Sequence, residues 1–289
     1  MTPKQWKMYI DSRKPNQRWV LFSLETPLRS SKNTTVHWTQ RYQTYHWTAT
    51  YNANSDIHIP YGRYVTHVNN ISKLPQNYFR TKQKLVAFMT SNCHDTKWPR
   101  LRFVHTLKKY VNVDIYGKCG TLKCNESEGC VDLLKQYKFH LTLENSQCEG
   151  YITEKFWNAL ELYESIPLAW GARTADYRKV APPGSFVHVS WFKSIKTLAG
   201  FIKKVGGDQE LYNVYHRWRS LGSVEVFSDW SKLPRDDQVC KAAELYHEDV
   251  FQVIQGKQPK FRDVNGRDWL AQCKMGKGKV QKKLPIPET

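Results

Sequence analysis

The sequence predicts an α/β protein built around a doubly wound parallel sheet, and three observations carry that reading. From about residue 84 onward, short apolar runs alternate with helical patterns, the signature of βαβ units. Hydrophobic residues make up 40% of the chain, enough to build a core and to exclude a globally disordered protein. The length of 289 residues suits one large domain or two medium ones and excludes a disulfide-held miniprotein.

Taken in order, RWVLFSLET (18–26) reads as a strand, and Trp38 to Tyr64 is rich in Trp, Tyr and polar residues with few clean periods. KLVAFMT (84–90) reads as a strand, LRFVHTLKKY (101–110) as the helix after it, and VNVDIYG (111–117) as the next strand. KFHLTLE (138–144) alternates Phe139, Leu141 and Leu143 with polar residues, which predicts a strand. TEKFWNALELY (153–163) has Phe156, Leu160 and Tyr163 at helical spacing, and IPLAWG (166–171) closes the unit. The expected organisation is a first domain over 1–82, a nucleotide-binding Rossmann-like domain over 83–273 and a Lys-rich, disordered tail over 274–289. Eighty residues are thin for an independent domain, so the first part either leans on the second or lacks a piece that belongs before it.

Lys and Arg number 44 against 26 Asp and Glu, and the resulting charge of +18 implies an anionic partner: a nucleic acid, an acidic membrane surface or a phosphorylated small molecule. Seven cysteines form no CxxC pair, so no structural zinc site is expected, and their odd number leaves at least one thiol over. Three N-x-S/T sequons, at Asn33, Asn70 and Asn125, hint at the secretory pathway. The longest apolar stretch near the start, Trp19 to Phe22, is far shorter than a signal or membrane-spanning segment.

In an open parallel sheet, ligands bind at the carboxyl ends of strands. After KLVAFMT stand Ser91, Asn92 and Cys93, then Arg100 at the head of a helix. After KFHLTLE comes a short loop ending Gly150-Tyr151-Ile152-Thr153-Glu154-Lys155, with Thr153 as the expected N-cap of the helix that follows. A phosphate at that helix start meets free N–H donors and the ammonium of Lys155, with Arg100 as a bidentate partner from the neighbouring strand. Glu154 is placed to accept hydrogen bonds from sugar hydroxyls. From spacing alone, Glu154 and Lys155 read more readily as ordinary first-turn residues on a solvated helix end.

The stretch KFHLTLENSQCEGYITEKFWNALELYESIPLAWG (138–171) resembles the donor-binding signature of the α-1,3-fucosyltransferases, glycosyltransferase family 10. Further stretches resemble the same family in the right order: LETP (24–27), HWTATYNANSDIHIPYG (46–62), SNC with Arg100 (91–100), VDIYGKCG (113–120), APPGSFVHV (181–189) and YHRWR (215–219). The resemblance implies a GT-B architecture, two Rossmann-like domains facing across a cleft, with the first domain as a shortened acceptor-binding domain. It implies inverting transfer of L-fucose from GDP-fucose to a hydroxyl of an N-acetylglucosamine or glucose unit of a glycan. On the family pattern, Arg100 and Lys155 hold the pyrophosphate, Asn145, Tyr151 and Glu154 line the nucleotide-sugar pocket, and Ser91 and Asn92 shape the loop over it. The carboxylate that takes the acceptor proton matches Glu25 of LETP. No Asp-x-Asp pair occurs, so the usual carboxylate clamp for a nucleotide-bound Mn²⁺ is missing and no strict metal requirement or other cofactor is expected.

Family members carry a membrane anchor, a stem and the first strand and helix of the acceptor domain before the LETP region, and those elements are expected to be absent from this chain. The family places such enzymes in the Golgi lumen, as membrane-anchored glycoprotein-modifying transferases. Gly150 stands where many animal members have Asp. Cys240 falls near a carboxy-terminal cysteine cluster of the family, which leaves a Cys240–Cys273 bridge and a buried free thiol both open, while Cys119, Cys124 and Cys130 share a loop suited to one local disulfide. The competing readings are a nucleic-acid-binding protein, suggested by charge and aromatics but lacking any RNP-like or zinc-finger pattern, and a catalytically silent relative that binds GDP or a glycan. YHRWR and APPGSFVHV lean toward the Lewis-type group.

Overall fold

The computed structural model describes residues 3–30, 44–67, 76–124, 130–227, 235–264 and 268–273. The three sequons and the Lys-rich tail lie outside the described residues. The chain divides into two compact units. One comprises Met1–Pro60, Cys148–Tyr151 and Asp229–Lys274, and the other is built from Tyr61–Gln147 and Ile152–Ser228. Among the described residues no helix is long and apolar enough to cross a membrane.

The larger unit holds a five-stranded, all-parallel sheet. Its strands carry the numbers of their place in the chain: β5 (Lys84–Met89), β6 (Val113–Tyr116), β7 (Tyr137–Leu143), β8 (Ile166–Trp170) and β9 (Val187–His188), in the spatial order β6-β5-β7-β8-β9. Four of the five were read from apolar runs or alternation to within two residues of their observed ends: KLVAFMT, VNVDIYG, KFHLTLE and IPLAWG.

The alternation in KFHLTLE suggests a half-exposed strand, yet His140 and Thr142 are buried along with Phe139, Leu141 and Leu143. A central parallel strand is covered on both faces, so its polar positions face packed helices rather than water. His140 stacks on Tyr163 at 4.6 Å, and burial lowers its pKa to about 3, which keeps the ring neutral in the core.

One face of this sheet packs Phe103, Val104 and Leu107 of α3 (Arg100–Lys108) and Leu198, Ile202 and Val205 of α7 (Ile195–Gly207). Ser194 caps α7 by accepting from the Thr197 N–H at 3.1 Å, with Thr197 reciprocating. The other face packs Phe156, Trp157 and Leu160 of α5 (Glu154–Glu161) with Tyr177 of α6 (Thr174–Val180), Phe186 and Trp218. An antiparallel pair, β4 (Gly62–Thr66) with β10 (Gly222–Val226), lies beside α5. Gly62 permits that approach, because a Cβ there would stand 2.6 Å from the Trp157 ring.

The smaller unit contains a three-stranded parallel sheet, β1 (Val20–Ser23), β2 (Trp47–Thr50) and β3 (Ile57–His58), in chain order. It also contains α1 (Pro3–Asp11), α2 (Pro27–Ser30) and the long helix α9 (Arg235–Ile254). Arg18 donates from Nε to Asp249 of α9 at 2.8 Å, and Arg262 donates from Nε to Asp56 at 3.0 Å, so residues from both ends of the chain build this unit.

These units cut the chain differently from the boundary expected between residues 82 and 83. Pairing of β4 with β10 draws 61–67 into the larger unit, and α9 with the segment up to Cys273 returns to the smaller one. A single cut along the sequence has no way to express either exchange. The returning segment adds α9 to the smaller unit.

Disulfides join Cys93 to Cys119, Cys124 to Cys130 and Cys148 to Cys273, and Cys240 is free. The Cys240–Cys273 bridge is therefore not formed, and Cys240 is an exposed thiol on α9 rather than a buried one. Of the loop cysteines, only Cys124 and Cys130 pair with each other, while Cys119 reaches back to the turn after β5. Alkylation without reduction is expected to add one adduct per chain, at Cys240, read by intact mass. Replacing Cys148 and Cys273 by Ala opens a bridge between positions 125 residues apart and is expected to cost about 2–5 kcal/mol in denaturant unfolding.

Candidate active site

The carboxyl end of β7 carries a dense polar constellation in the larger unit. Glu144 follows the strand directly, and its side chain has no solvent exposure. Its carboxylate accepts from the Thr153 backbone N–H at 2.8 Å and from Thr153 Oγ1 at 2.8 and 2.9 Å. Lys155 Nζ stands 3.4 Å from Glu144 Oε2, donates to Thr153 Oγ1 at 2.9 Å and donates to Glu154 Oε1 at 2.9 Å. Two carboxylates and one ammonium thus meet at the first turn of α5, with Glu144 reaching it from the end of β7.

Burial raises the Glu144 pKa above the usual carboxylate range despite the pull of Lys155. Burial acts in the same direction on Glu154, but Lys155 beside it outweighs that and holds the group low. For Lys155, burial favours the neutral amine, and the two carboxylates overcome it and raise the pKa. Lys155 is a protonated ammonium at the amino end of a helix, where free backbone N–H groups add to its attraction for anions.

Thr153 occupies the N-cap position with an extended backbone, as expected, yet its side chain makes no capping bond. Its hydroxyl is spent on Glu144 and Lys155 instead. Glu144 was not among the expected site residues. The signal that points to it is its place directly after the central strand, followed by Gly171 after the neighbouring one. Gly171 has φ +147°, and a Cβ there would stand 2.5 Å from the Glu144 Cβ.

Arg100 sits at the start of α3 and is buried. Its guanidinium donates to Leu143 O and Asn145 Oδ1, both at 2.9 Å, and to Thr90 Oγ1 and Asn92 O, both at 2.7 Å. These four bonds tie the loop after β5 to the loop after β7. In this arrangement the Arg100 guanidinium links the two loops, and a bidentate phosphate contact requires it to give up bonds it already makes.

Asn145 accepts from Arg100 through its side chain and from the Lys97 N–H through its carbonyl at 2.8 Å. Asn92 closes its own turn, donating from Nδ2 to Asp95 O at 2.8 Å and accepting from the Asp95 N–H at 2.9 Å. Ser91 is exposed on the same loop, which the Cys93–Cys119 disulfide anchors to the loop after β6.

In the smaller unit, Glu25 stands two residues after β1 with its side chain 45% exposed. Arg29, one turn later, approaches it at 3.4 Å, and Tyr151 donates its hydroxyl to Glu25 Oε2 at 3.1 Å. Tyr151 itself is buried, edge-on to Tyr51 with ring centroids 4.9 Å apart. The Tyr51 hydroxyl is buried with no hydrogen-bond partner among the described residues. Burial and the nearby Glu25 and Glu149 raise its pKa, so it remains a neutral donor. The structure therefore groups Tyr151 with Glu25, and groups Arg100, Asn145, Glu154 and Lys155 in the other unit. Among the described residues, no set of three or more His, Cys, Asp or Glu side chains is placed to hold a metal ion.

A family model described as glycosyltransferase family 10 (fucosyltransferase), C-terminal, matches residues 79–258, and one described as fucosyltransferase, N-terminal, matches residues 2–62. The chain is 39% identical over 230 residues to glycoprotein 3-alpha-L-fucosyltransferase A of Drosophila melanogaster, covering 77% of this chain and 42% of that protein. It is 30% identical over 264 residues to alpha-(1,3)-fucosyltransferase 4 of Mus musculus, covering 90% of this chain and 57% of that one. The chain thus spans about half the length of the curated relatives it matches. Its fold is similar to a crystal structure of an alpha1,3-fucosyltransferase with GDP-fucose, with a TM-score of 0.55 at 20% identity over 81% of this chain and 76% of that one. A second such structure, with GDP, gives 0.55 at 19% identity over 81% and 75%.

Arg100→Lys keeps the charge but loses the planar fork that spans four acceptors. It is expected to destabilise the protein by about 2–4 kcal/mol in urea unfolding, because buried acceptors on both loops lose their donor.

Proposed function

This chain belongs to glycosyltransferase family 10, the fucosyltransferases, and we propose that it transfers L-fucose from GDP-fucose to a hydroxyl of an N-acetylglucosamine or glucose unit in a glycan, with inversion at the anomeric carbon. One observation supports this above the others. Tyr151 and Glu25, which lie 126 residues apart and come from two separate stretches of the family resemblance, are joined by a hydrogen bond. A carboxylate held by a buried phenol, yet open to solvent, suits a base that must meet an incoming hydroxyl.

In this reading, Glu25 takes the proton of the acceptor hydroxyl as the oxygen attacks the anomeric carbon, and the bond from that carbon to the GDP phosphate oxygen breaks. Positive charge grows on the sugar and negative charge on the leaving diphosphate. Lys155 and the first N–H groups of α5 receive that negative charge, Glu154 and Asn145 bind the nucleotide sugar, and Ser91 and Asn92 shape the neighbouring loop. Arg100 holds both loops in register. These groups supply the charge stabilisation that a divalent metal gives in other glycosyltransferases, and we take the reaction to have no strict metal requirement. Three disulfides fit an oxidising compartment, which supports the Golgi lumen as its place of action.

Transfer of labelled fucose to a panel of N-acetyllactosamine and N-glycan acceptors tests this reading. Glu25→Gln is expected to lower kcat about 10²–10⁴-fold with donor affinity retained, and EDTA is expected to leave activity in place. A folded chain that binds GDP-fucose and transfers nothing to any acceptor would overturn the transferase reading in favour of a silent relative.

A further inference from the structure

Glu144 is the one member of the α5 cluster with no route to water. Its whole charge compensation is internal: the Thr153 N–H, the Thr153 hydroxyl and the ammonium of Lys155. The other groups that face it are neutral or already engaged. Trp98 of the loop before α3 donates from Nε1 to the Glu144 carbonyl at 2.8 Å, and the Glu144 N–H donates to Trp170 O of β8 at 2.8 Å. From α6, Tyr177 is buried and kept neutral, and Asp176 is paired with Arg173 at 2.7 Å. From α3, Arg100 is committed to Leu143, Asn145, Thr90 and Asn92. From α5 itself come Glu154 and Lys155, with side-chain exposures of 37% and 25%.

The cluster carries one ammonium and two carboxylates, a net negative charge at the place where the donor reading seats a dianionic diphosphate. Lys155 serves that diphosphate only by loosening its hold on its carboxylates. Glu154 is exposed enough to turn to solvent and remain ionised. Glu144 is not, and a buried carboxylate without a counterion is the least favourable species the site can form.

The local hydrogen bonds offer a way out. Once Lys155 leaves Thr153 Oγ1, that oxygen has a free lone pair, and a protonated Glu144 donates to it while still accepting from the Thr153 N–H. The proton comes from solvent and ends on a Glu144 carboxyl oxygen, and no covalent bond to carbon changes.

We propose that Glu144 is a positioning residue that holds Lys155 at the start of α5 while the site is empty and takes up a proton when the diphosphate of the donor draws Lys155 away. This rests on the donor reading given above. It makes donor binding proton-linked at a residue that touches neither the sugar nor the phosphate.

Calorimetric titration with GDP-fucose, run in two buffers of different ionisation enthalpy from about pH 6 to about pH 9, tests it. GDP-fucose is the right probe because both its phosphates are esterified and carry no proton to exchange in that range. The wild-type protein is expected to take up a proton on binding, with affinity falling as pH rises toward a limit of about tenfold per pH unit. Glu144→Gln is expected to lose both the uptake and the slope, and Glu154→Gln to retain the uptake whatever its affinity. Wild-type binding with no proton uptake overturns the inference alone, as does uptake that persists in Glu144→Gln. Should that variant fail to fold, loss of the uptake in Glu154→Gln overturns the inference, because the proton then belongs to the exposed carboxylate. A folded wild-type chain that does not bind GDP-fucose overturns the donor reading and this inference with it.

Discussion

The larger unit depends on one buried carboxylate. Glu144 ends the central strand, and through Thr153 and Lys155 it determines where α5 begins and which way its first turn faces. Much else is arranged to make that burial tolerable. Gly171 removes the side chain that would collide with it, Trp98 satisfies its carbonyl, and Arg100 pins the loop that follows it. An ionisable group sealed from water is costly in a core unless its partners are exact in number and place.

The same economy appears in the smaller unit with different chemistry. Here a buried phenol, Tyr151, orients a carboxylate that is left half open, and a second buried phenol, Tyr51, packs edge-on against the first. The segment Cys148–Tyr151 that carries this phenol belongs to the smaller unit and is bridged by disulfide to Cys273. The backbone repeats the connection, with the Glu149 N–H donating to Gln272 O at 2.8 Å. Residues from three distant stretches of chain therefore hold a single carboxylate in place. Glu144 and Glu25 are treated in opposite ways, one sealed and one exposed. That difference is the one the proposed mechanism uses, with Glu144 positioning and Glu25 taking the proton of the incoming hydroxyl.

Four strands of the parallel sheet were legible, those at 84–90, 111–117 and 166–171 from short apolar runs and that at 138–144 from its alternation. Arg100, Glu154 and Lys155 were legible as candidates because they follow strands or open helices, whereas Asn145 and Tyr151 entered only through the family resemblance. Their division was not legible. Tyr151 is two residues from Thr153 in sequence yet is grouped with Glu25, and Arg100, expected to reach a phosphate, spends its donors on four protein acceptors. The disulfide pairing was illegible for a related reason, since Cys148 and Cys273 are brought together only when 229–274 returns to the smaller unit.

By itself the sequence determined the class of fold, the position of four of the five strands of the sheet around which the site forms, and the family to which the chain belongs. These depend on local periodicity and on ordered motifs, which survive in one dimension. Only the tertiary structure decided which carboxylate is sealed and which is open, which cysteines pair, and where one unit ends and the next begins. Those outcomes depend on burial and on contacts between residues more than a hundred positions apart, and the free energy of a charged group is set by what surrounds it rather than by its neighbours in the chain.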